Sequence, residues 1–155
     1  MHLASKTGVS AHSTRMPEGL RLLPSFIDAC RQVAFLAVVG GSPGRTDLKR
    51  RVQHCGWTYD YRARRVRPSD YLGGLPRWLG PELDRLVAEP FDERPTQVIV
   101  NEYEPGQGIS PHVDCQPCFG DVIASLSLGG LCLMTFTERG TARRVDMRYR
   151  PARSS

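Results

Sequence analysis

Short apolar segments, separated by glycine, proline or charged turns, fill the second half of the chain. The segments "TQVIVNEY", "DVIASLSL", "LCLMTFT" and "TARRVDMRYR" are each long enough for one strand and shorter than a typical helix. Helical patterns precede them along the chain. Helices followed by a run of antiparallel strands predict an α+β fold with a sandwich or jelly-roll core.

Two amphipathic segments in the first half predict helices. In "PSFIDACRQVAFLAVV", Ser25 is the expected N-cap, and Gly40 and Gly41 end the helix. A second, shorter helix is expected in "LPRWLGPELDRLVAE". The residues expected to be buried are Phe26, Ala29, Cys30, Val33, Ala34 and Ala37 in the first helix, and Trp78, Leu79, Leu83 and Leu86 in the second.

Length and charge narrow the class of protein. The 155 residues suit one domain, so we expect an unstructured tail over 1–18 and a single domain over 19–155. The net charge of +5 makes nucleic acid a reasonable partner. No apolar run reaches the length of a membrane span, and five cysteines at uneven spacing do not indicate a disulfide framework. These features favour a cytoplasmic protein without a membrane partner, and we expect a monomer.

Two pairs of polar residues are candidates for a metal site and a ligand site. His112 and Asp114 are two residues apart, so an extended backbone points both side chains the same way. They supply two of the three ligands of a two-histidine, one-carboxylate iron site, or are simply polar surface residues. Asn101 and Tyr103 have the same spacing. Their amide and phenol can bind a small carboxylate, or can form a buried polar pair satisfied within the fold.

A basic segment over 45–67 holds eight basic residues against two acidic ones. Inside it Trp57, Tyr59 and Tyr61 alternate, which on a strand places three aromatic rings on one face. Aromatic faces can hold a flipped-out base, and the surrounding arginines can contact phosphates. These arginines are Arg50, Arg51, Arg62, Arg64 and Arg65. The alternative is a set of half-buried strand residues beside a solvated basic face.

A C-x-x-C pair, Cys115 and Cys118, follows the H-x-D motif. Together with His112 it suggests a zinc site. A second C-x-x-C at zinc-finger spacing is missing from the sequence. We therefore expect loop cysteines without a metal, and zinc is the lesser alternative.

The stretch "QVIVNEYEPGQGISPHVDCQPCFGDVIASLSLGGLCLMTF" resembles the core of the AlkB family of Fe(II)- and 2-oxoglutarate-dependent dioxygenases. The family pattern is N-x-Y, then G-x-x-I-x-x-H-x-D, a phenylalanine, I-x-S-L-S-L-G and M-x-F. The upstream segments "RRVQHCGWTYDY" and "GLPRWLGPELDRL" are similar to the lid and following helix of its tRNA-modifying, eukaryote-like branch. The matching residues are Asn101, Tyr103, Gly106, Ile109, His112, Asp114, Phe119, Ile123, Ser125, Leu126, Ser127, Leu128, Gly129, Met134 and Phe136.

The resemblance implies a double-stranded β-helix (jelly-roll) core, packed against N-terminal helices and a lid hairpin. It implies that His112 and Asp114 are catalytic residues that ligate Fe(II), and that Asn101 and Tyr103 contact 2-oxoglutarate. It further implies that the enzyme uses O2 to dealkylate or hydroxylate alkyl groups on bases of DNA or tRNA. The implied substrate contacts are Arg51, Trp57, Tyr59, Tyr61 and Arg64.

Members of the family also use a second histidine and an arginine downstream of the H-x-D motif. The four histidines of this sequence are His2, His12, His54 and His112, and none follows His112. We therefore expect a C-terminally truncated core that is missing its last strands. The alternative to an active dioxygenase is a catalytically dead remnant that only binds nucleic acid.

Overall fold

The computed structural model describes residues 16–88, 91–115, 117–141 and 143–149. Most of the tail expected over 1–18 lies outside these residues. The chain forms two compact units, one made of residues up to Gly40 and from Leu126 onward, the other of Gly41–Ser125. The expectation of one domain over 19–155 stays a prediction.

Among its described residues, the first unit contains one helix and one strand pair. Helix α1 covers Ala29–Gly41, and strands β3 (Cys132–Thr137) and β4 (Arg144–Tyr149) pair antiparallel, with Met134 opposite Met147. The two strands fall within segments that the alternating apolar pattern predicted. Val145 is the buried residue of β4.

The cap and the buried face of α1 differ from the prediction. Asp28, not Ser25, accepts the first-turn N–H: its Oδ1 lies 2.7 Å from the Arg31 backbone nitrogen. The buried helix residues are Gln32, Phe35 and Val39. The helix is buried on the face that carries the bulky Phe35 ring. On this face the Gln32 side-chain oxygen accepts the Gly129 N–H at 3.3 Å. The predicted core positions Cys30, Val33, Ala34 and Ala37 are therefore exposed, and Phe26 and Ala29 are half-buried.

The second unit is built on strands β1 (Arg51–Cys55) and β2 (Val98–Glu102). They pair antiparallel, with Val52 opposite Asn101. Val52 also exchanges both backbone hydrogen bonds with Arg45, so β1 is flanked on both edges and the Val52 side chain is completely buried. This ladder places the end of β2, where the N-x-Y motif lies, beside the start of β1.

Two short turns and a helix follow the basic segment 45–67, which includes the predicted lid. A 3-10 turn covers Pro68–Asp70, a second covers Arg77–Leu79, and helix α2 covers Gly80–Ala88. Leu79 and Leu83 are buried as predicted, whereas Trp78 and Leu86 are half-buried. The second predicted helix is thus confirmed, and Glu82, which was not predicted to be buried, is buried as well.

The segment 121–128 was expected to be a strand and is not one. Its alternating pattern suits a half-buried strand, but a strand requires a partner ladder. Among the described residues, no strand pairs with this segment, and the strands that do form make two separate two-stranded sheets. A mixed helix-and-strand fold is what the structure shows, and the jelly-roll core stays a prediction.

Within the described part of the chain, no helix combines the length and the apolar character needed to cross a membrane.

Candidate functional site

The H-x-D pair lies in an irregular segment of the second unit after β2. His112 Nε2 and Asp114 Oδ1 face each other at 3.7 Å, and both side chains are about half exposed. The Ser110 carbonyl oxygen lies 2.8 Å from His112 Nδ1. Because a carbonyl can only accept, Nδ1 carries a proton and donates it there, so Nε2 is the ring nitrogen that faces Asp114.

A proton on Nε2 makes this contact an ion pair, and a metal cation is the other group that the two atoms can share. A metal about 2.1 Å from each atom, with a right angle at the metal, would hold the two atoms about 3 Å apart. His112 and Asp114 therefore fit one edge of a metal coordination sphere after a small adjustment. The Ser110 carbonyl orients the imidazole in the way that metal-ligating histidines usually require.

The described residues do not bring a third side-chain ligand to this edge. No group of three His, Cys, Asp or Glu side chains lies close enough together, in the part of the chain that the structure describes, to hold a metal ion. The pair fits a facial iron site as two of its three protein ligands, and the third is unassigned.

The N-x-Y pair is contacted by an arginine that directly precedes the neighbouring strand β1. The Arg50 Nε donates to Asn101 Oδ1 at 2.7 Å. The Arg50 guanidinium carbon also lies 5.9 Å from the centre of the Tyr103 ring and 5.8 Å from that of Tyr61, within cation–π range. Arg50 thus contacts both predicted 2-oxoglutarate residues and one predicted lid aromatic.

The three lid aromatics do not form one continuous face. Tyr59 and Tyr61 meet edge to face, with ring centres 5.0 Å apart. Trp57 instead packs on Tyr71, with ring centres 4.8 Å apart, because a backbone bridge aligns these two residues. Tyr59 also lies 5.9 Å from Phe119, so one lid ring contacts the segment that carries the H-x-D motif.

Buried surroundings raise the pKa of the Tyr61 phenol, and the nearby Arg50 charge partly offsets this shift. The Tyr61 hydroxyl lies 3.2 Å from His54 Nε2. Burial also lowers the pKa of His54, and the positive charge of Arg45 lowers it further. Both shifts favour neutral side chains under this part of the lid.

The tip of the lid is a tight turn over 60–65. The Asp60 carboxylate accepts the backbone N–H groups of Ala63 at 2.9 Å and Arg62 at 3.0 Å, and the Arg67 guanidinium at 3.2 Å. These bonds, with that of Ala63 the strongest, lower the pKa of Asp60. Arg64 sits in this turn with a φ of 51°, and its guanidinium donates to the Val113 carbonyl at 3.4 Å.

The two predicted arginine contacts differ in their surroundings. Arg51 forms an ion pair with Glu102, with 3.1 Å between Nε and Oε2, and its side chain is only 22% exposed. Arg64 is exposed at the lid tip. Of the two, Arg64 is the better placed to meet a phosphate from solvent, whereas Arg51 is committed to a neighbouring carboxylate.

Cys115 and Cys118 are joined by a disulfide, which the expectation of two loop cysteines did not include. Their i, i+3 spacing in a tight turn brings the two sulfurs together, since the Cys118 N–H donates to the Cys115 carbonyl at 2.9 Å. In the disulfide neither sulfur is a thiolate, so the pair does not supply zinc ligands. This weakens the zinc alternative.

The sequence did not predict the contact of Arg50 with Asn101 or that of Trp57 with Tyr71. Arg50 was counted as one of several possible phosphate contacts, and Tyr71 was not considered. The antiparallel register that places Arg51 opposite Glu102 also brings Arg50 next to Tyr103. Pairing these two strand segments in the sequence would therefore have predicted that Arg50 contacts the N-x-Y motif. The pairing of Trp57 with Tyr71 depends on the loop between them, for which the sequence carries no comparable signal.

Comparison with known proteins decides the family. A family model described as "2OG-Fe(II) oxygenase superfamily" matches residues 28–151. The Arabidopsis thaliana protein named "Alkylated DNA repair protein ALKBH8 homolog" is 41% identical over 124 residues, which is 76% of this chain and 36% of that protein. The chain belongs to the AlkB family of 2OG-Fe(II) oxygenases. The predicted resemblance is confirmed.

Other AlkB-family relatives carry a tRNA-related name. The mouse protein "tRNA (carboxymethyluridine(34)-5-O)-methyltransferase ALKBH8" is 35% identical over 130 residues, covering 78% of this chain and 20% of that protein. Its Macaca fascicularis namesake is 40% identical over 137 residues, covering 82% of this chain and 21% of that protein. The chain thus spans between about a fifth and two fifths of the length of these relatives. No solved structure matches significantly.

Proposed function

We propose that this AlkB-family chain is an Fe(II)- and 2-oxoglutarate-dependent dioxygenase that oxidises alkyl groups on nucleic acid bases, by dealkylation or hydroxylation. The observation that carries the proposal is the His112–Asp114 pair, whose Nε2 and Oδ1 atoms lie 3.7 Å apart inside the range that the family model matches. The proposal includes a double-stranded β-helix core, to which the β1–β2 and β3–β4 ladders would contribute.

In this proposal His112 and Asp114 hold the metal, and Asn101 and Tyr103 hold 2-oxoglutarate. The Ser110 carbonyl fixes the imidazole so that Nε2 points to the metal position. The Asn101 amide and the Tyr103 phenol supply hydrogen bonds to a carboxylate. Bound Fe(II) would supply the activation of O2 that couples decarboxylation of 2-oxoglutarate to hydroxylation of a carbon on the substrate.

Nucleic acid is the proposed substrate class, and three features support it. The chain carries a net charge of +5. The lid presents paired tyrosine rings, Tyr59 and Tyr61, beside an arginine-rich turn. The relatives' names refer to alkylated DNA and to tRNA, both of them nucleic acids. We assign base contact to Trp57, Tyr59 and Tyr61. We assign phosphate contact first to Arg64, and to Arg51 when a phosphate replaces Glu102 as its partner. The proposed location is the cytoplasm and the proposed state is a monomer.

A second candidate is a nucleic-acid-binding protein without turnover. It is favoured by the incomplete ligand set: the described residues offer no cluster of three metal-ligating side chains. The lid would then bind nucleic acid through the same aromatic and basic residues. The two candidates share a binding surface and differ in whether the chain consumes 2-oxoglutarate.

The deciding experiment measures succinate formed from 2-oxoglutarate, with Fe(II), ascorbate and an alkylated oligonucleotide. The wild-type chain is compared with His112→Ala and Asp114→Asn, and with Arg139→Gln as a matched surface control. Loss of an outer partner of a metal ligand typically costs about 10- to 100-fold, so loss of a ligand should cost more. Succinate that is formed by the wild type and the control but not by the ligand variants supports the dioxygenase.

Succinate at the level of His112→Ala in all proteins would exclude turnover by this chain. Oligonucleotide binding by fluorescence anisotropy then tests the second candidate on the same samples. Binding that weakens with salt would support a non-catalytic binder.

A further inference from the structure

The Arg50 side chain contacts both residues that we propose as co-substrate contacts. It lies next to the first residue of β1 and is half-buried. Its Nε donates to Asn101 Oδ1 at 2.7 Å, from a position 51 residues earlier in the chain. Its guanidinium carbon also lies within 6 Å of the Tyr103 and Tyr61 ring centres. One side chain therefore contacts both halves of the N-x-Y motif.

The contact fixes which way the Asn101 amide points. A guanidinium has five N–H donors and no acceptor, so the amide atom that faces it is the oxygen. The Asn101 NH2 group then points away from Arg50. A carboxylate accepts hydrogen bonds and donates none. An amide that presents only its NH2 group is therefore matched to a carboxylate, and an amide in the flipped orientation would repel it.

We propose that Arg50 is a positioning residue for the co-substrate: it holds the Asn101 amide with its NH2 group presented to a 2-oxoglutarate carboxylate, and it packs against Tyr103 and Tyr61. The inference rests on the proposed function, because it takes Asn101 and Tyr103 as co-substrate contacts. It removes Arg50 from the set of phosphate-contacting arginines. It also connects the lid with the co-substrate site, because the same guanidinium contacts the Tyr61 ring.

Lysine cannot replace arginine in this role. The guanidinium is a planar fork that can donate to Asn101 while its face lies over an aromatic ring. An ammonium keeps the charge but presents it as a compact, strongly hydrated group on a flexible stem. Arg50→Lys therefore separates positioning from charge.

The experiment measures 2-oxoglutarate binding directly, by calorimetry on the full chain with Mn(II) in place of Fe(II) so that no turnover occurs. The variants are Arg50→Lys, Arg50→Gln and Asn101→Asp. Lys49→Gln is the matched control, because it removes one positive charge from the neighbouring, exposed residue. We expect the dissociation constant to rise about tenfold in both Arg50 variants and by less than twofold in the control.

Asn101→Asp separates the presented donor from the fold. The substituted side chain still accepts a hydrogen bond from Arg50, so the urea unfolding midpoint should stay close to that of the wild type. It has no NH2 group to offer, so 2-oxoglutarate binding should be lost. In turnover assays the KM for 2-oxoglutarate should rise in Arg50→Lys, whereas the salt dependence of oligonucleotide binding should not change.

The outcomes distinguish this inference from the function on which it rests. A wild-type chain that binds no 2-oxoglutarate in the presence of Mn(II) overturns the proposed function and this inference together. If the wild type binds and the Arg50 variants bind equally well, only the inference fails. A reduced salt slope for oligonucleotide binding in Arg50→Gln, with unchanged 2-oxoglutarate affinity, would return Arg50 to the phosphate contacts.

Discussion

His54 is a single residue whose surroundings set its charge. It is half-buried on β1, its Nε2 lies 3.2 Å from the Tyr61 hydroxyl, and the cation of Arg45 acts on it. Burial first, and then the Arg45 charge, lower the His54 pKa. A neutral imidazole is thus part of the folded state, and protonation of this ring opposes folding.

The lowered His54 pKa makes the folded state less stable as the pH falls. Since the folded pKa lies below the unfolded value of about 6.5, the contribution of His54 to stability is fully present above that value. It is lost as the pH falls from about 6.5 through the lower folded pKa. His54→Gln, which keeps a polar group toward Tyr61, should therefore flatten the pH dependence of the urea midpoint between pH 7.5 and pH 5.

Carboxylates whose pKa is lowered, such as that of Asp60, lose their contribution at lower pH and are common to both proteins. The difference between wild type and His54→Gln over this window thus reports on the histidine. Parallel pH curves for the two proteins would contradict the assignment.

Local spacing in the sequence predicted part of the site at this scale. His112 and Asp114 are two residues apart, and backbone geometry alone brings them together. Arg50 and Asn101 are 51 residues apart, and only the β1–β2 register brings them together. A single sequence states the first relation directly, whereas the second requires knowledge of which strands pair.

At the scale of elements, Gly56 ends the β1 strand in a conformation that side chains rarely adopt. Its φ is 84°, and a β-carbon at this position would overlap the Thr96 carbonyl oxygen, just before β2. The Gly56 carbonyl also accepts the Leu72 N–H at 2.8 Å. The close approach of these backbones sets where the β1–β2 ladder ends.

Gly56→Ala should therefore lower the free energy of unfolding by at least about 2 kcal/mol, from the positive φ and the backbone overlap together. Gly74→Ala is the matched control, because it has open space around the added carbon and no positive φ. The control should change the free energy of unfolding by less than about 1 kcal/mol. Urea unfolding followed by circular dichroism measures both, and equal effects would show that Gly56 is not special.

Element boundaries and strand partners were the weakest sequence predictions. Ser25 and Asp28 are both good N-cap residues three positions apart, and the sequence cannot choose between them. In the structure Asp28 caps α1, and Ser25 lies outside the helix with a φ of 53°. The segment 121–128 has the composition of a strand, but strand formation depends on a partner that composition does not specify.

At the scale of the whole molecule, the net charge of +5 is the property that would govern association with nucleic acid. Within the second unit the basic residues cluster in one segment, with eight of them from Arg45 to Arg67. Some of these are committed within the protein: Arg45 is paired with Asp47, and Arg51 with Glu102. At the lid tip, Arg62, Arg64 and Arg65 are exposed.

We therefore expect binding of a single-stranded oligonucleotide to weaken steeply with salt. The logarithm of the association constant falls against the logarithm of salt concentration with a slope of about −0.7 for each neutralised phosphate. Arg64→Gln should make this slope shallower by about 0.7 and weaken binding similarly for different base sequences. Arg139→Gln, at an exposed position in the turn between β3 and β4, removes the same charge without touching the lid and should leave the slope unchanged. Anisotropy titrations at four salt concentrations measure all three proteins.

Equal slopes for Arg64→Gln and wild type would place the phosphate contact away from the lid tip. A slope near zero in the wild type would exclude nucleic acid as an electrostatic partner.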